Sequence, residues 1–298
     1  MQHLLQLCSI LVAIAASAIP FPTGLTCSEK DHDQACHIEG FTFDSAASSN
    51  SLSFPDVPLL YLDNCTIDDF SQHFASHIPS TTESLFILDG YVPKVYLKPS
   101  LKSFTALRAA TAEIAIDPDD NHHLEILDIE GLLQSIPENV RHLKRLVTLD
   151  LCENQINSWN VNHLDGLDQL RKLNLGHNQI EAVISTSEVN LPALKELFLH
   201  DNGITTLDLT HLKADRLERL YLSQNHLIKI EGFPQRYNQL RRVDLYQNKW
   251  NCEWLESTLS VLKNAGVETQ SYLPGKVCDE RGSVKVEGVM CDKESTAL

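Results

Sequence analysis

The chain has 298 residues, 43% of them hydrophobic, with a formal net charge of −16 and a pI near 5.2. That length and apolar content suit one globular unit with its caps. The acidic balance favours solubility and weighs against nucleic acid or an anionic membrane as the main partner.

Residues 1–18 read as a secretory signal peptide: an apolar run from Leu4 to Ala16 is followed by the small-x-small site Ala16-Ser17-Ala18. The run is too short to span a bilayer, and no later stretch is apolar enough to do so. Export places the cysteines in an oxidising compartment. Cys8 leaves with the signal, and seven remain: Cys27, Cys36, Cys65, Cys152, Cys252, Cys278 and Cys291. An odd number leaves at least one thiol free or joined to another chain.

Residues 19–55 form an N-terminal cap, in which Cys27 and Cys36 are read as a disulfide. Ser45 to Ser53 is a polar, Ser-rich loop. Weak repeats come next. VPLLYLDNCTI points Val57, Leu60, Leu62 and Ile67 inward and puts Cys65 at its ninth position, as a reduced core residue. TESLFILDGYV offers Leu85, Ile87 and Val92, and LKSFTALRAAT offers Leu101, Phe104 and Ala106. LEILDIEGLLQ offers Leu124, Leu127 and Ile129, with Leu132 at the ninth position. Asn64-Cys65-Thr66 is the only N-glycosylation sequon, so Asn64 is a candidate glycan site.

From Leu146 to Trp250 the pattern becomes regular. The segments LVTLDLCENQI, LRKLNLGHNQI, LKELFLHDNGI, LERLYLSQNHL and LRRVDLYQNKW begin at Leu146, Leu170, Leu194, Leu217 and Leu240. This is the L-x-x-L-x-L-x-x-N-x-L repeat at 23–24-residue spacing. One copy cannot bury its leucines, whereas a stack shares a continuous core. The ninth-position Asn154, Asn178, Asn202, Asn225 and Asn248 are expected to satisfy inward-facing turn backbone. The predicted fold class is therefore α/β: a curved, right-handed leucine-rich repeat solenoid of about nine repeats over residues 56–250. Its concave face carries a parallel sheet, its convex face short helices or loops, and disulfides staple both caps.

The C-terminal cap, residues 251–298, opens with NCEWLESTLSVLKNAG. Trp254, Leu255, Thr258, Leu259 and Leu262 recur at helical spacing up to Gly266. Cys252 and Cys278 are expected to staple this helix, leaving Cys291 without a local partner, although the spacing also allows Cys291 to exchange roles with them.

On the predicted concave face, the fifth positions of the later repeats are Asp128, Asp150, Asn174, Phe198, Tyr221 and Asp244. Phe198, Tyr221 and Tyr246, with Arg219, Arg242 and Lys172 beside them, form a candidate protein-binding surface, because exposed aromatics and arginines are what binding hot spots use. Asp128, Glu130, Asp150 and Glu153 form an acidic strip; stiff neighbouring strands do not wrap Ca2+, so it reads as solvated surface. His177, His200 and His226 fall near one edge of consecutive repeats at different offsets, and the sequence assigns neither a metal nor a cofactor. No Gly-x-Ser-x-Gly, His-Glu-x-x-His or phosphate loop occurs, so the reading is of a binding protein and not an enzyme.

The WNCEWL segment, the helix, Cys278 and Cys291 resemble the C-terminal cap of extracellular leucine-rich repeat proteins. In that cap a second Cys stands two residues after the first and pairs with the last; this chain has Trp254 there. Together with the signal peptide, the two-Cys N-cap and the repeat length, the chain resembles the mosquito leucine-rich repeat immune (LRIM) family. It has no heptads after Cys291 and so resembles a coil-less type. The resemblance implies a protein secreted to haemolymph that acts in innate immunity. Its role would be pattern recognition, or scaffolding of complement-like thioester-containing proteins. It also implies pairing with other such chains through cysteines, for which Cys291, and secondarily Cys152, are the candidates. The competing reading is a matrix or signalling module that captures a growth-factor-like ligand, or an enzyme inhibitor with the same concave geometry.

Overall fold

The computed structural model describes residues 25–30, 35–44, 52–120, 122–270, 283–286 and 289–292. The signal segment, the Ser-rich residues 45–51 and Cys278 lie outside these.

A 13-stranded sheet extends from Glu29 to Gln270. Strand β1 (Glu29–Lys30) pairs antiparallel with β2 (Ala35–Glu39), and the chain then enters a parallel ladder. The ladder strands are β3 (Leu59–Ile67), β4 (Ser84–Tyr91), β5 (Ser103–Leu107), β6 (Ile126–Glu130), β7 (Thr148–Asp150), β8 (Lys172–Asn174), β9 (Glu196–Phe198), β10 (Arg219–Tyr221) and β11 (Arg242–Asp244). Each strand pairs with the one before it in an unbroken register, so every repeat position stacks on its equivalent in the next coil.

The inward positions explain why this stack holds. The first, fourth, sixth and eleventh residues of the five regular repeats are fully buried, apart from Leu240 at 7% exposure. Each contributes roughly 2–3 kcal/mol by leaving water. In the weaker repeats Thr82 and Thr111 occupy inward positions, and each donates its hydroxyl to a carbonyl of the preceding coil, Val57 at 2.9 Å and Val92 at 3.0 Å.

The asparagine ladder closes the turns. Asn202 is representative: its Oδ1 accepts from the Ile180 N–H at 2.9 Å, and its Nδ2 donates to the Leu175 carbonyl of the previous coil at 2.9 Å. The same two links recur at Asn154, Asn178, Asn225 and Asn248. The residue before each of these asparagines sits in the left-handed region, with φ between 51° and 57° at Glu153, His177, Asp201, Gln224 and Gln247.

Cys65 takes over this post in the first repeat. It is fully buried and unpaired, and its thiol donates to the Ile38 carbonyl of the previous coil at 3.5 Å. In the second repeat the slot holds Gly90, where a Cβ would come within 2.1 Å of the Cys65 carbonyl oxygen. One expectation fails here: Leu132 does not fill the ninth position. It is 42% exposed, while Leu133 is buried and donates its N–H to Asn154 Oδ1. The turn of that repeat is one residue shorter than the pattern assumes.

On the convex side the chain returns mostly through short extended bridges, such as Ser158–Asn160 with Ala182–Ile184. Two 3-10 turns lie there, Glu138–His142 and Val161–Leu164, and α1 (Gln72–Ser76) is the one short α-helix on this side among the described residues.

Both caps carry a disulfide. Cys27, just before β1, is bonded to Cys36 of β2, as expected. At the other end, β12 (Trp250–Asn251) leads into α2 (Cys252–Asn264), whose first turn is capped by Asn251 Oδ1 accepting from the Trp254 N–H. Leu255, Thr258, Leu259 and Leu262 face the core. Strand β13 (Glu268–Gln270) then adds a final rung beside β11. The expected Cys252–Cys278 bond is replaced by Cys252–Cys291. The reason is strand pairing: β14 (Ser283–Val286) forms a hairpin with β15 (Val289–Asp292), and β15 lies parallel to β12 with Trp250 opposite Cys291. That register delivers Cys291 to the start of α2, so Cys291 is buried and committed within the chain.

Candidate functional site

The fifth position of every coil lies on the outer, concave side of the sheet, and the register aligns them in one row. From the N-terminal end this row reads His37, Tyr61, Phe86, Thr105, Asp128, Asp150, Asn174, Phe198, Tyr221 and Asp244. Its character changes from aromatic to acidic to aromatic again.

Phe198 and Tyr221 stack face to face, with ring centroids 4.5 Å apart and planes 4° from parallel. A cation flanks each ring. Lys172 Nζ lies 5.6 Å from the Phe198 centroid, and the Arg242 guanidinium carbon lies 5.7 Å from that of Tyr221. Both rings are half-buried, so one face of each packs on its neighbours while an edge stays open. Arg219 is committed to an ion pair with Glu196. Tyr246, grouped with these aromatics in the sequence, makes no ring contact with them among the described residues. It sits past the strand end, where its N–H is bound to Asp244 Oδ1 at 3.1 Å.

The acidic strip adjoins this cluster. Asp128 and Asp150 are register partners on β6 and β7. Lys172 Nζ reaches Asp150 Oδ2 at 2.7 Å and so links the strip to the aromatic stack. Burial pushes the Asp128 carboxyl up to about 6, with the charge of Asp150 adding to the effect. Glu130 comes two residues later on the same strand, and Glu153 stands in its left-handed turn. Next to them, Cys152 is unpaired and half-buried. Its thiol is pushed up to about 11, first by burial and then by Asp150 and Glu153. A thiol held protonated in this way is a poor nucleophile for disulfide exchange.

At the N-terminal end the structure adds a surface that sequence reading missed. His37, Tyr61 and Phe86 form a continuous stack, with centroid spacings of 4.3 and 4.5 Å. Asp63 Oδ2 holds His37 Nδ1 at 2.8 Å. The fifth-position rule applied to the first two weak repeats would have found Tyr61 and Phe86; His37 lies in the cap, where no repeat is visible.

The three predicted edge histidines separate. His177 and His200 are in edge-to-face contact at 5.0 Å, whereas His226 is at the tenth position of its repeat and pairs its N–H with the Ile204 carbonyl. Asn64 is exposed, with a left-handed φ of 50° inside β3.

This geometry agrees with what the chain is similar to. A family profile described as "Leucine rich repeat" matches residues 122–180, and one described as "Leucine Rich repeats (2 copies)" matches residues 168–213. The fold is a leucine-rich repeat solenoid. Asporin of Bos taurus is 26% identical over 165 residues, covering 52% of this chain and 43% of that protein. The chain therefore spans less than half the length of this curated relative. Among solved structures, the leucine-rich repeat domain of APL1B superposes with a TM-score of 0.64 at 16% identity, covering 85% of this chain and 69% of that one. A chain of the LRIM1/APL1C complex superposes with a TM-score of 0.56 at 14% identity, covering 92% of this chain and 72% of that one. No helix among the described residues is long and apolar enough to cross a membrane.

Proposed function

We propose that this is a secreted protein of innate defence that binds other proteins through the concave face of its solenoid. The observation that carries the reading is the Phe198–Tyr221 stack, flanked by Lys172 and Arg242 and set beside an acidic strip. Rigid strands fix these side chains before a partner arrives, so little conformational entropy is lost on binding. Aromatic anchors ringed by charges suit a protein epitope with a basic rim and an apolar centre.

The defence role rests on the resemblance to the mosquito family and on the likeness in fold to chains of that type, one of them solved as a complex of two such proteins. Its partners would be other leucine-rich repeat chains or complement-like thioester proteins. Cys291 is committed inside the chain, so the covalent link that the resemblance implies would not run through it. The asporin match favours a matrix ligand as the second reading.

The test is capture from cell-free body fluid by tagged wild-type protein and by the double variant Phe198→Ala/Tyr221→Ala, with eluates run unreduced and reduced. A defined plasma protein retained by wild type and depleted at least tenfold by the variant supports the proposal. A partner retained equally by both places the contact elsewhere. Enrichment of collagenous or growth-factor ligands in place of defence proteins would favour the matrix reading.

A further inference from the structure

Successive coils bring three metal-binding side chains together at one edge of the sheet. His177 and Asp201 each occupy the eighth position of their repeats, in left-handed turns with φ of 51° and 53°. His200 precedes Asp201, and the His177 N–H donates to the His200 carbonyl at 3.0 Å, which locks the two turns together. His177 Nε2 lies 3.7 Å from Asp201 Oδ2. One ligand atom from each of the three side chains falls within 4.8 Å of the others.

The surroundings hold this group in place. Gln224 donates to Asp201 Oδ1, which leaves Oδ2 facing the histidine. A partner of this kind on the far oxygen is how proteins orient metal-binding carboxylates. The His200 ring lies against Gly176, where a Cβ would stand 2.4 Å from its Cε1, so only glycine in the preceding coil admits the ring. His200 Nδ1 is buried and has no hydrogen-bond partner among the described residues. A separation of 3.7 Å is too long for a hydrogen bond and close to what two ligands of one ion adopt: donors about 2.0–2.2 Å from a tetrahedral zinc lie roughly 3.4 Å apart. His177 is 48% exposed and can turn inward to close the remaining distance.

We infer that His177, His200 and Asp201 form a three-ligand site for Zn2+ or a similar first-row transition ion. Two imidazoles and one carboxylate select such an ion over Ca2+ or Mg2+, which take oxygen ligands. Three protein ligands leave a fourth position for water or for a side chain of a docked partner. His200 lies 6.2 Å from Phe198, so an ion here borders the aromatic stack.

The test uses the full chain, stripped with EDTA and dialysed, with Zn2+ alone as the probe in calorimetry and Co2+ as a spectroscopic stand-in. Wild type is expected to take up one equivalent and to give the visible bands of a low-coordinate cobalt site. His177→Ala and Asp201→Asn should each weaken binding at least tenfold and lose those bands, while His226→Gln leaves both unchanged. His177→Ala is the main variant because that side chain is exposed, and unchanged far-ultraviolet circular dichroism confirms its fold. Uptake that is equal in wild type and His177→Ala, or no uptake by wild type, overturns the proposal.

Discussion

Replacing Asn202 with leucine tests the ladder that gives the repeat its shape. The amide oxygen of Asn202 accepts from the Ile180 N–H at 2.9 Å, and its nitrogen serves the carbonyls of Leu175, Leu199 and His200 at 2.9, 3.2 and 3.1 Å. Leucine keeps the same number of side-chain heavy atoms, so the change removes polar partners without opening a cavity. An orphaned buried N–H costs about 1–3 kcal/mol. Carbonyls that lose one of several donors add less, so the total expected loss is roughly 3 kcal/mol. For a chain of this length that lowers Tm by about 6 °C. Asn202→Cys should lose only part of this, because Cys65 shows that a thiol can donate from the same slot, at 3.5 Å to Ile38 O and 3.4 Å to Asp63 O. Urea titration monitored by circular dichroism measures both variants. Asn202→Leu within about 0.5 kcal/mol of wild type, or a cysteine variant worse than the leucine one, would refute the role given to the ladder.

Asp128→Asn should stabilise the protein at neutral pH. The carboxyl titrates at about 6 in the folded chain against an ordinary 3.8, so folding favours its protonated form. The stability this gives is fully present below pH 4 and is lost as pH rises through 6. Scaled down for partial contact with water, the ionised carboxylate costs about 1–2 kcal/mol above that range. Denaturant midpoints should therefore diverge between the two proteins at pH 7.5 and converge near pH 4; parallel curves would contradict the shift. Cys152, with its thiol at about 11, should react with iodoacetamide at pH 7 about a hundredfold more slowly than an unperturbed cysteine, from thiolate fraction alone. Labelling at the rate of a free thiol would show that the site opens. Non-reducing peptide mapping should recover Cys252 joined to Cys291, and Cys291→Ser should cost about 3–4 kcal/mol for a bond that closes a 39-residue separation.

The parts of this structure that were legible in the sequence are those with a period. Positions one, four, six and eleven had to be apolar, and the ninth had to carry a polar side chain that can reach turn backbone, so the core and the ladder emerged directly. Cys65 was readable as a ladder substitute because its neighbours kept the pattern. Leu132 was misplaced because a turn shortened by one residue leaves the strand pattern intact and shifts only the residues after it. The Cys252–Cys291 bond was hidden for a different reason: it depends on β15 pairing with β12 across a long stretch of chain, a non-local event with no local signal. The same holds for the stack of His37 on Tyr61 and Phe86, which joins a cap residue to the repeats. His177, His200 and Asp201 looked mismatched by offset. The left-handed turn brings the seventh and eighth positions of one coil beside the eighth of the previous one.

Docking of partners on the row of fifth-position side chains can be read out by hydroxyl-radical footprinting of the captured complex with mass spectrometry. Phe198 and Tyr221 are expected to lose reactivity in the complex relative to the free chain, while Ile184 on the convex side and Tyr91 at the last position of β4, 46% and 52% exposed, keep theirs. Protection of Ile184 with Phe198 and Tyr221 unchanged would place the partner on the opposite side of the solenoid and contradict concave-face binding.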